Sequence, residues 1–221
     1  MNIIESTISF ANEILTLTNF KAIYWQKENT IILSDLHLGK AAHFRKNGIA
    51  IPTQVSATDL QNLETIIEKY HPCRIIIVGD LIHAGSNSEV ENFRIFTQQH
   101  NTINFILVKG NHDKHSDHFF KNIGLHEIYP EYRLGNILFV HEPQSKGNTF
   151  IICGHIHPGI VLPTPTNKHL KLPCFAVSEQ QLILPAFSRF TGSDSKNTPA
   201  NTCCYAVHQQ GIFKIPASGQ T

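Results

Sequence analysis

The sequence predicts an α/β fold, and three observations support this prediction. Short apolar runs rich in β-branched residues recur along the chain, and each is bounded by glycine, aspartate or asparagine. Segments with apolar residues at helical spacing separate the earlier runs. The resulting order of strand, helix and strand through the first half is typical of an α/β core whose strands end at polar loops.

The first-half strands are expected to be buried, because their apolar runs are nearly continuous. They are Ile31 to Leu33, Arg74 to Val78, Ile103 to Val108, Ile137 to Val140 and Phe150 to Ile152.

Two helices are predicted between these strands. The first ends at His71-Pro72, because proline stops a helix, and its apolar positions are Leu60, Leu63, Ile67 and Tyr70. The second opens at Ser88, where Glu91 three residues later completes a capping box.

The second half is predicted to form antiparallel strands joined by polar turns. The segment from Thr191 to Ala200 is rich in Ser, Asn, Gly and Thr, which favours a surface loop. No repeat or linker divides the sequence, so residues 1–221 are expected to form one domain. The expected strands are Leu170 to Val177, Gln181 to Leu184, Cys203 to Val207 and Ile212 to Ile215.

Composition limits the classes of function. With 18 basic and 17 acidic residues the formal charge is +1, so a protein that coats nucleic acid is disfavoured and any polyanion must be held locally. The five cysteines form no CxxC pair, which argues against a zinc knuckle or a disulfide scaffold. No signal peptide or membrane-spanning apolar run is visible, so a cytoplasmic protein with reduced thiols and no membrane partner is expected.

Two motifs place carboxylates directly after predicted strands. In Ser34-Asp35-Leu36-His37 the carboxylate and the imidazole are two positions apart, and an extended chain turns such positions to the same side. In Val78-Gly79-Asp80 the carboxylate has two oxygens and can bridge neighbouring cations. Asp80 is therefore the candidate bridging ligand.

Three further motifs follow later strands and add amide and imidazole donors. Gly110-Asn111-His112-Asp113 follows the third strand, His141 ends the fourth, and Gly154-His155-Ile156-His157 follows the fifth. A single Asp or His at a strand end more often caps a loop than binds metal. The complete set in one α/β pattern favours a metal centre formed by Asp35, His37, Asp80, Asn111, His141, His155 and His157.

Oxygen and nitrogen donors without thiolate suit manganese, iron or zinc. Two divalent ions held about 3.5 to 4 Å apart can polarise a phosphoryl oxygen and lower the pKa of a shared water, which phosphoester hydrolysis requires. A bridging hydroxide would then be the nucleophile.

These residues resemble the calcineurin-like metallophosphoesterase superfamily, whose motifs DxH, GD, GNH, H and GHxH occur here in order. The resemblance implies a four-layer α-β-β-α sandwich with two metal ions, the bridging ligand being Asp80. It assigns Asp35, His37 and His157 to one ion, and Asn111, His141 and His155 to the other.

By the same resemblance His112 faces the phosphate as a proton donor or a stabiliser of the transition state, and Asp113 is expected to orient its imidazole. The sequence lacks the GDxxDRG and RGNHE motifs of protein phosphatases, so a phosphoprotein substrate is disfavoured. Lipid-A pathway hydrolases share a similar start, but usually carry arginine at the position of His112.

A closer resemblance, from about Ser34 to Tyr205, is to the bacterial ligase-associated metallophosphoesterases. It implies a manganese-dependent endonuclease that cleaves DNA, with single-stranded DNA as the expected substrate, in a repair pathway with an ATP-dependent DNA ligase, a helicase and an exonuclease. Residues 1 to about 30 carry no informative motif. The similar segments are Asp35 to Arg45, His141-Glu142-Pro143, Gly154 to Gly159, Leu172 to Phe175, Leu184 to Phe187 and Phe190 to Gly192.

Lys40, His43 and Arg45 follow the first motif and are candidates for holding flanking phosphates, although a solvated helix face explains them equally well. Two alternative functions remain open. One is a phosphodiesterase of small or cyclic nucleotides. The other is a non-catalytic module that binds metal and DNA in repair.

Overall fold

The structure, a computed structural model, describes residues 2–40, 42, 44, 48, 54–83, 85, 87–163, 169–200 and 202–217. Two large sheets dominate this part of the chain. The seven-stranded first sheet follows chain order, with antiparallel pairing up to its fourth strand and parallel pairing beyond it. Its strands are β1 (Glu5–Phe10), β2 (Glu13–Thr18), β3 (Ile23–Trp25), β4 (Thr30–Leu33), β5 (Arg74–Val78), β6 (Asn104–Val108) and β7 (Glu127–Tyr129).

The second sheet is eight-stranded and mixed. Its members are β8 (Tyr132–Leu134), β9 (Ile137–Phe139), β10 (Phe150–Cys153), β11 (Gly159–Pro163), β12 (His169–Val177), β13 (Gln181–Ile183), β14 (Cys203–His208) and β15 (Gly211–Ile215). The strand order is β15-β14-β12-β13-β10-β9-β8, and β11 pairs with β12. Strands β9, β10 and β13 run parallel, so their carboxyl ends meet at one edge.

The helices with described bounds are α1 (Gln54–Tyr70), α2 (Ser88–Gln99) and α3 (Asp117–Asn122), and a 3-10 helix covers Gln26–Glu28. All three α-helices pack on the first sheet through one apolar cluster. None of the described helices has both the length and the apolar character needed to cross a lipid bilayer.

Alternation along each strand separates the apolar residues into layers. In β4, Ile31 and Leu33 face the helices, whereas Ile32 faces the second sheet. Trp25, Phe139 and Phe175 are fully buried in the layer between the sheets. Because burying one such side chain contributes about 1.5–3 kcal/mol, this layer fixes the alignment of the two sheets.

The predicted α/β class with two large sheets is confirmed. The predicted strands and helices are present, with small shifts at their ends. One prediction is wrong in detail: Asn87 caps α2, and its Oδ1 accepts hydrogen bonds from the backbone N–H of Glu89 at 2.9 Å and Val90 at 3.3 Å. Ser88 is instead the first helical residue.

Further differences concern the sheets, in which strands β7, β8 and β11 were not predicted. The strand predicted from Gln181 is antiparallel to β12 but also pairs in parallel with β10. The first thirty residues, which carry no motif, form strands β1 to β3 and complete the first sheet.

Candidate metal centre

The candidate ligands lie on loops that leave both sheets at facing edges. Asp35 follows β4 and Asp80 follows β5, and these loops are joined by hydrogen bonds from Asp35 N to Gly79 O at 3.0 Å and from His37 N to Asp80 O at 2.9 Å. On the second sheet, Gly154 N donates to His141 O at 3.0 Å. The parallel strands therefore deliver ligands from distant parts of the sequence to one place.

Several ligand residues have left-handed backbone conformations, which cost energy in residues with a Cβ atom. Their φ values are 56° for Asp35, 50° for His37, 51° for Asp80, 71° for His155 and 48° for His157. Strain of this kind clusters where the surrounding structure holds a functional geometry.

The first group of ligands is Asp35, His37 and His157. Asp35 Oδ1 lies 3.1 Å from His157 Nε2 and 3.9 Å from His37 Nε2, and the two Nε2 atoms are 3.3 Å apart. Asp35 Oδ2 accepts a hydrogen bond from Ser34 Oγ at 2.6 Å, whereas the buried Oδ1 receives no hydrogen bond from the described residues. Three potential metal-ligand atoms thus lie close together.

The second group is Asp80, His141 and His155. His141 Nε2 lies 3.4 Å from Asp80 Oδ2 and 3.2 Å from His155 Nδ1. Asn111 Oδ1 is 3.1 Å from each of these two imidazole nitrogens, so it joins the group. His141 Nδ1 is 3.0 Å from Val78 O, and in the neutral imidazole donation to this carbonyl leaves Nε2 free for a metal ion.

Asp80 faces both groups, since its Oδ2 lies 4.0 Å from His37 Nε2 and 3.4 Å from His141 Nε2. Burial would raise the pKa of Asp80, but the hydrogen bond and charge of His141 outweigh burial and lower it to about 2. Burial likewise opposes protonation of His141, yet the hydrogen bond to Asp80 raises the pKa of His141 to about 9. Burial lowers the pKa of His37 to about 3.

Both groups fit a divalent metal ion. Within each, the ligand atoms lie within 4.8 Å of one another. In the first group, two imidazole nitrogens face each other beside a carboxylate oxygen that receives no hydrogen bond from the described residues. A cation bound between them would interact favourably with all three atoms. The donors are nitrogen and oxygen without thiolate, which suits manganese, iron or zinc. The structure therefore brings all seven predicted ligands into two adjacent groups.

His112 lies beside these groups and is exposed. Its backbone N–H donates to Asp80 Oδ1 at 3.0 Å, and its ring centroid is 5.6 Å from that of His37. The ring of His83 lies 4.9 Å away, in a tilted arrangement. The imidazole of His112 can thus reach a ligand bound at the two groups.

Asp113 has a different role from the one expected. Its buried carboxylate accepts hydrogen bonds from the backbone N–H groups of Gly110 at 2.9 Å, Ile82 at 3.0 Å and Leu81 at 3.4 Å. Burial raises the pKa of this carboxyl group. Asp113 therefore holds two motif loops together rather than orienting the imidazole of His112.

Of the predicted phosphate contacts, only Lys40 is described; His43 and Arg45 lie outside the described residues. Lys40 Nζ donates to Thr191 Oγ1 at 3.3 Å. Burial lowers the pKa of Lys40, while the charges of Asp35 and Asp80 oppose this change. Lys40 therefore lies close to the metal ligands.

Sequence reasoning missed Glu89, which positions the segment around Lys40. This buried carboxylate accepts hydrogen bonds from Gly39 N at 2.7 Å and Ala42 N at 3.2 Å. A capping carboxylate contributed by a distant helix leaves no local pattern, although its position in the first turn of α2 was visible.

Comparisons with known proteins identify the family. A family model described as calcineurin-like phosphoesterase matches residues 29–172. The crystal structure of Pseudomonas putida nuclease MPE is similar with a TM-score of 0.81 and 25% identity, covering 96% of this chain and 100% of that chain. The E. coli phosphoesterase Yfce is 15% identical with a TM-score of 0.44, covering 85% and 98% of the two chains. No curated protein matches the sequence.

Proposed function

Because the chain belongs to the calcineurin-like phosphoesterase family, we propose that it is a manganese-dependent endonuclease that cleaves single-stranded DNA. The observation that carries the proposal is the pair of adjacent ligand groups. Asp80 belongs to the second group and also faces His37 of the first. The whole-chain likeness to a nuclease supports a polynucleotide substrate.

In this proposal Asp35, His37 and His157 would hold one ion, Asn111, His141 and His155 would hold the other, and Asp80 would be shared between them. Two bound ions would polarise the phosphoryl group and lower the pKa of water for attack on phosphorus. The chain itself supplies the alignment, because the loop hydrogen bonds and the buried Asp113 fix the ligands before substrate arrives.

His112 is the proposed proton donor. When water attacks phosphorus and the bond to the leaving oxygen breaks, that oxygen gains negative charge and needs a proton. The exposed imidazole beside the first group is positioned to deliver it. Asp80 Oδ1 accepts the backbone N–H of His112, which holds the backbone of this loop beside the proposed bridging carboxylate.

The resemblance to ligase-associated enzymes extends the proposal to a repair pathway. The expected partners are an ATP-dependent DNA ligase, a helicase and an exonuclease. Co-purification of the tagged protein with such a ligase, or neighbouring genes for these enzymes, would support this extension.

Circular single-stranded DNA is the decisive substrate, because a circle has no ends and only an endonuclease can open it. We expect cleavage after metal removal and addition of manganese, and none with chelator alone. Asp80→Ala and His112→Ala are expected to lose at least about 100-fold in rate. Lys121→Ala removes an exposed charge on α3 and serves as the control. Equal rates in the wild type and both site variants would refute the proposal.

Cyclic nucleotides and bis(p-nitrophenyl) phosphate separate the proposal from the alternative of a small-substrate phosphodiesterase. The nuclease proposal predicts a higher kcat/KM for DNA than for either small diester. Efficient hydrolysis of small diesters with intact circular DNA would favour the alternative. DNA binding without hydrolysis of any phosphodiester would favour a non-catalytic module.

A further inference from the structure

A cavity of about 450 Å³ lies one loop away from the metal centre. We name it the Lys21–Arg189 cavity after the two cationic residues that line it. The loop that forms one wall is bonded to the first motif, because Phe187 N donates to Ser34 O at 2.9 Å and Ser188 N donates to Asp35 O at 3.2 Å. The cavity therefore keeps a fixed position relative to the metal ligands.

Lys40 joins the cavity to the site. Its ammonium group interacts electrostatically with Asp35 and Asp80 and also donates a hydrogen bond to Thr191, which lines the cavity. Cationic groups thus continue from the metal centre into the cavity. Consecutive phosphates of a strand need such a row of positive groups.

Charge distinguishes this cavity from its neighbour. No aspartate or glutamate is among the described residues that line the Lys21–Arg189 cavity. A second cavity of about 400 Å³ beside Asn111 and His141 has Lys109 but also Glu131 and Glu142 in its wall. A polyanion is therefore better accommodated on the side of Lys21 and Arg189.

Unused hydrogen-bond donors point to an anionic ligand. The ammonium group of Lys21 can donate three hydrogen bonds, yet within the described part of the chain it makes one, to Ser188 O at 2.9 Å. The exposed guanidinium of Arg189 makes none to the described residues. Burial lowers the pKa of Lys21 to about 8, and the charge of Asp59 opposes this effect, so the ammonium form prevails at neutral pH.

Part of the remaining wall is apolar and can contact a base. Half-buried Pro173 lines the cavity together with the buried residues Phe20, Ala186 and Val207. The volume falls within the range of about 300–1,000 Å³ that small-ligand sites occupy. A nucleotide has a negatively charged phosphate, which suits the cationic side of the cavity, and a base, which suits the apolar side.

We propose that the Lys21–Arg189 cavity binds the nucleotide next to the scissile phosphodiester, with its phosphate at Lys21 and Arg189 and its base on the apolar wall. This inference rests on the proposed nuclease function. It explains how a chain with a charge near zero holds a strand without a large basic surface.

The test uses Arg189→Ala, because Arg189 is exposed and its loss leaves the core intact. Lys121→Ala, which also removes one exposed positive charge, is the matched control. Affinity for a labelled single-stranded oligonucleotide is measured by fluorescence anisotropy in EDTA at fixed ionic strength. Hydrolysis of the oligonucleotide and of bis(p-nitrophenyl) phosphate is measured with manganese.

Arg189→Ala is expected to weaken oligonucleotide binding about 10-fold and to raise KM for the oligonucleotide by a similar factor. Hydrolysis of the small diester is expected to stay unchanged, because it has no flanking nucleotide. Oligonucleotide binding by Arg189→Ala as tight as by Lys121→Ala would overturn the inference. If the wild type hydrolyses only the small diester, the nuclease function is wrong, and the anisotropy comparison alone decides whether the cavity binds nucleotides.

Discussion

The Nε2 atoms of His37 and His157 lie 3.3 Å apart, and both face the Oδ1 atom of Asp35, which has no hydrogen-bond partner in the part of the chain that the structure describes. When both imidazoles carry their proton on Nδ1, two Nε2 lone pairs and the Asp35 Oδ1 atom face one another, so no hydrogen bond can form among these three atoms. A divalent cation between them would satisfy all three atoms at once.

Loss of His157 is expected to remove one of two ions. His157→Ala should lower bound manganese from about two ions per chain to about one, because the second group keeps its own ligands. Elemental mass spectrometry after gel filtration measures the content. His169→Ala removes an exposed histidine at the start of β12 and should retain both ions. Two ions in His157→Ala would contradict the assignment.

Gly154 must remain without a side chain. A Cβ atom there would lie 2.7 Å from Asp35 Oδ2 and 2.7 Å from Ser34 Oγ. Gly154→Ala is therefore expected to lose about 1–3 kcal/mol of unfolding free energy in EDTA and to bind less manganese. Urea denaturation and metal content measure both effects.

Gly85→Ala is the control for this substitution, since among the described residues its Cβ atom would meet only His115 Cε1, at an ordinary 3.7 Å. If Gly154→Ala has the same unfolding free energy and binds as much manganese as Gly85→Ala, the predicted clash is wrong.

Asp113 and Asp117 offer a paired comparison of carboxylates. Asp113→Ala leaves three buried or partly buried backbone N–H donors without their acceptor, so a loss of about 2–4 kcal/mol in unfolding free energy is expected. Asp117 forms a 2.6 Å ion pair with Lys109 but its side chain is 61% exposed, so Asp117→Ala should cost less than about 1 kcal/mol. Equal losses in chemical denaturation would contradict the role given to Asp113.

Asp59 makes stability depend on pH. Burial raises its pKa to about 6, although the charges of Lys21 and Arg189 and the hydrogen bonds from Arg189 and Ser188 oppose this change. Between pH 4 and 6 the folded protein holds a proton that the unfolded chain has released, so this group lowers stability as pH rises. Asp59→Asn has no ionisable group at this position, so its stability does not fall with rising pH for this reason.

The unfolding free energy of Asp59→Asn minus that of the wild type is therefore expected to increase by about 1–3 kcal/mol between pH 4 and 6.5. Urea denaturation across this range measures it. Asp117→Asn, at an exposed position, is the control. A difference that stays flat or falls with pH would show that the carboxyl group of Asp59 is ionised more easily than its burial implies.

The sequence was sufficient to predict that the candidate ligands lie close together, because each is on the loop that follows an apolar strand. Asp35 and Asp80 follow β4 and β5, and parallel strands bring such positions together without further information. The His71-Pro72 pair also predicts the end of α1, which the structure places at Tyr70, and the apolar run from Arg74 to Val78 predicts where β5 begins and ends.

Long-range pairs were not predictable. Lys21 and Ser188 are 167 positions apart and meet only after both sheets are aligned. The same holds for Asp59, which accepts the backbone N–H of Arg189 across 130 positions. Asp113 was misjudged because the sequence places it next to His112, whereas its carboxylate turns toward backbone donors of the neighbouring loop. Proximity in sequence does not reveal the direction of a side chain.

Each ligand group draws on both sheets, since Asp35 and His37 follow β4 whereas their partner His157 follows β10, and Asp80 follows β5 whereas His141 and His155 follow β9 and β10. A small slide of one sheet against the other therefore changes both ion sites together. Thermodynamic reciprocity then requires that metal binding resist the same slide. Metal occupancy thus depends on the alignment of the sheets. Substitutions that change the packing at Phe139 or Phe175 are therefore expected to alter the affinity for both ions, although neither residue contacts them.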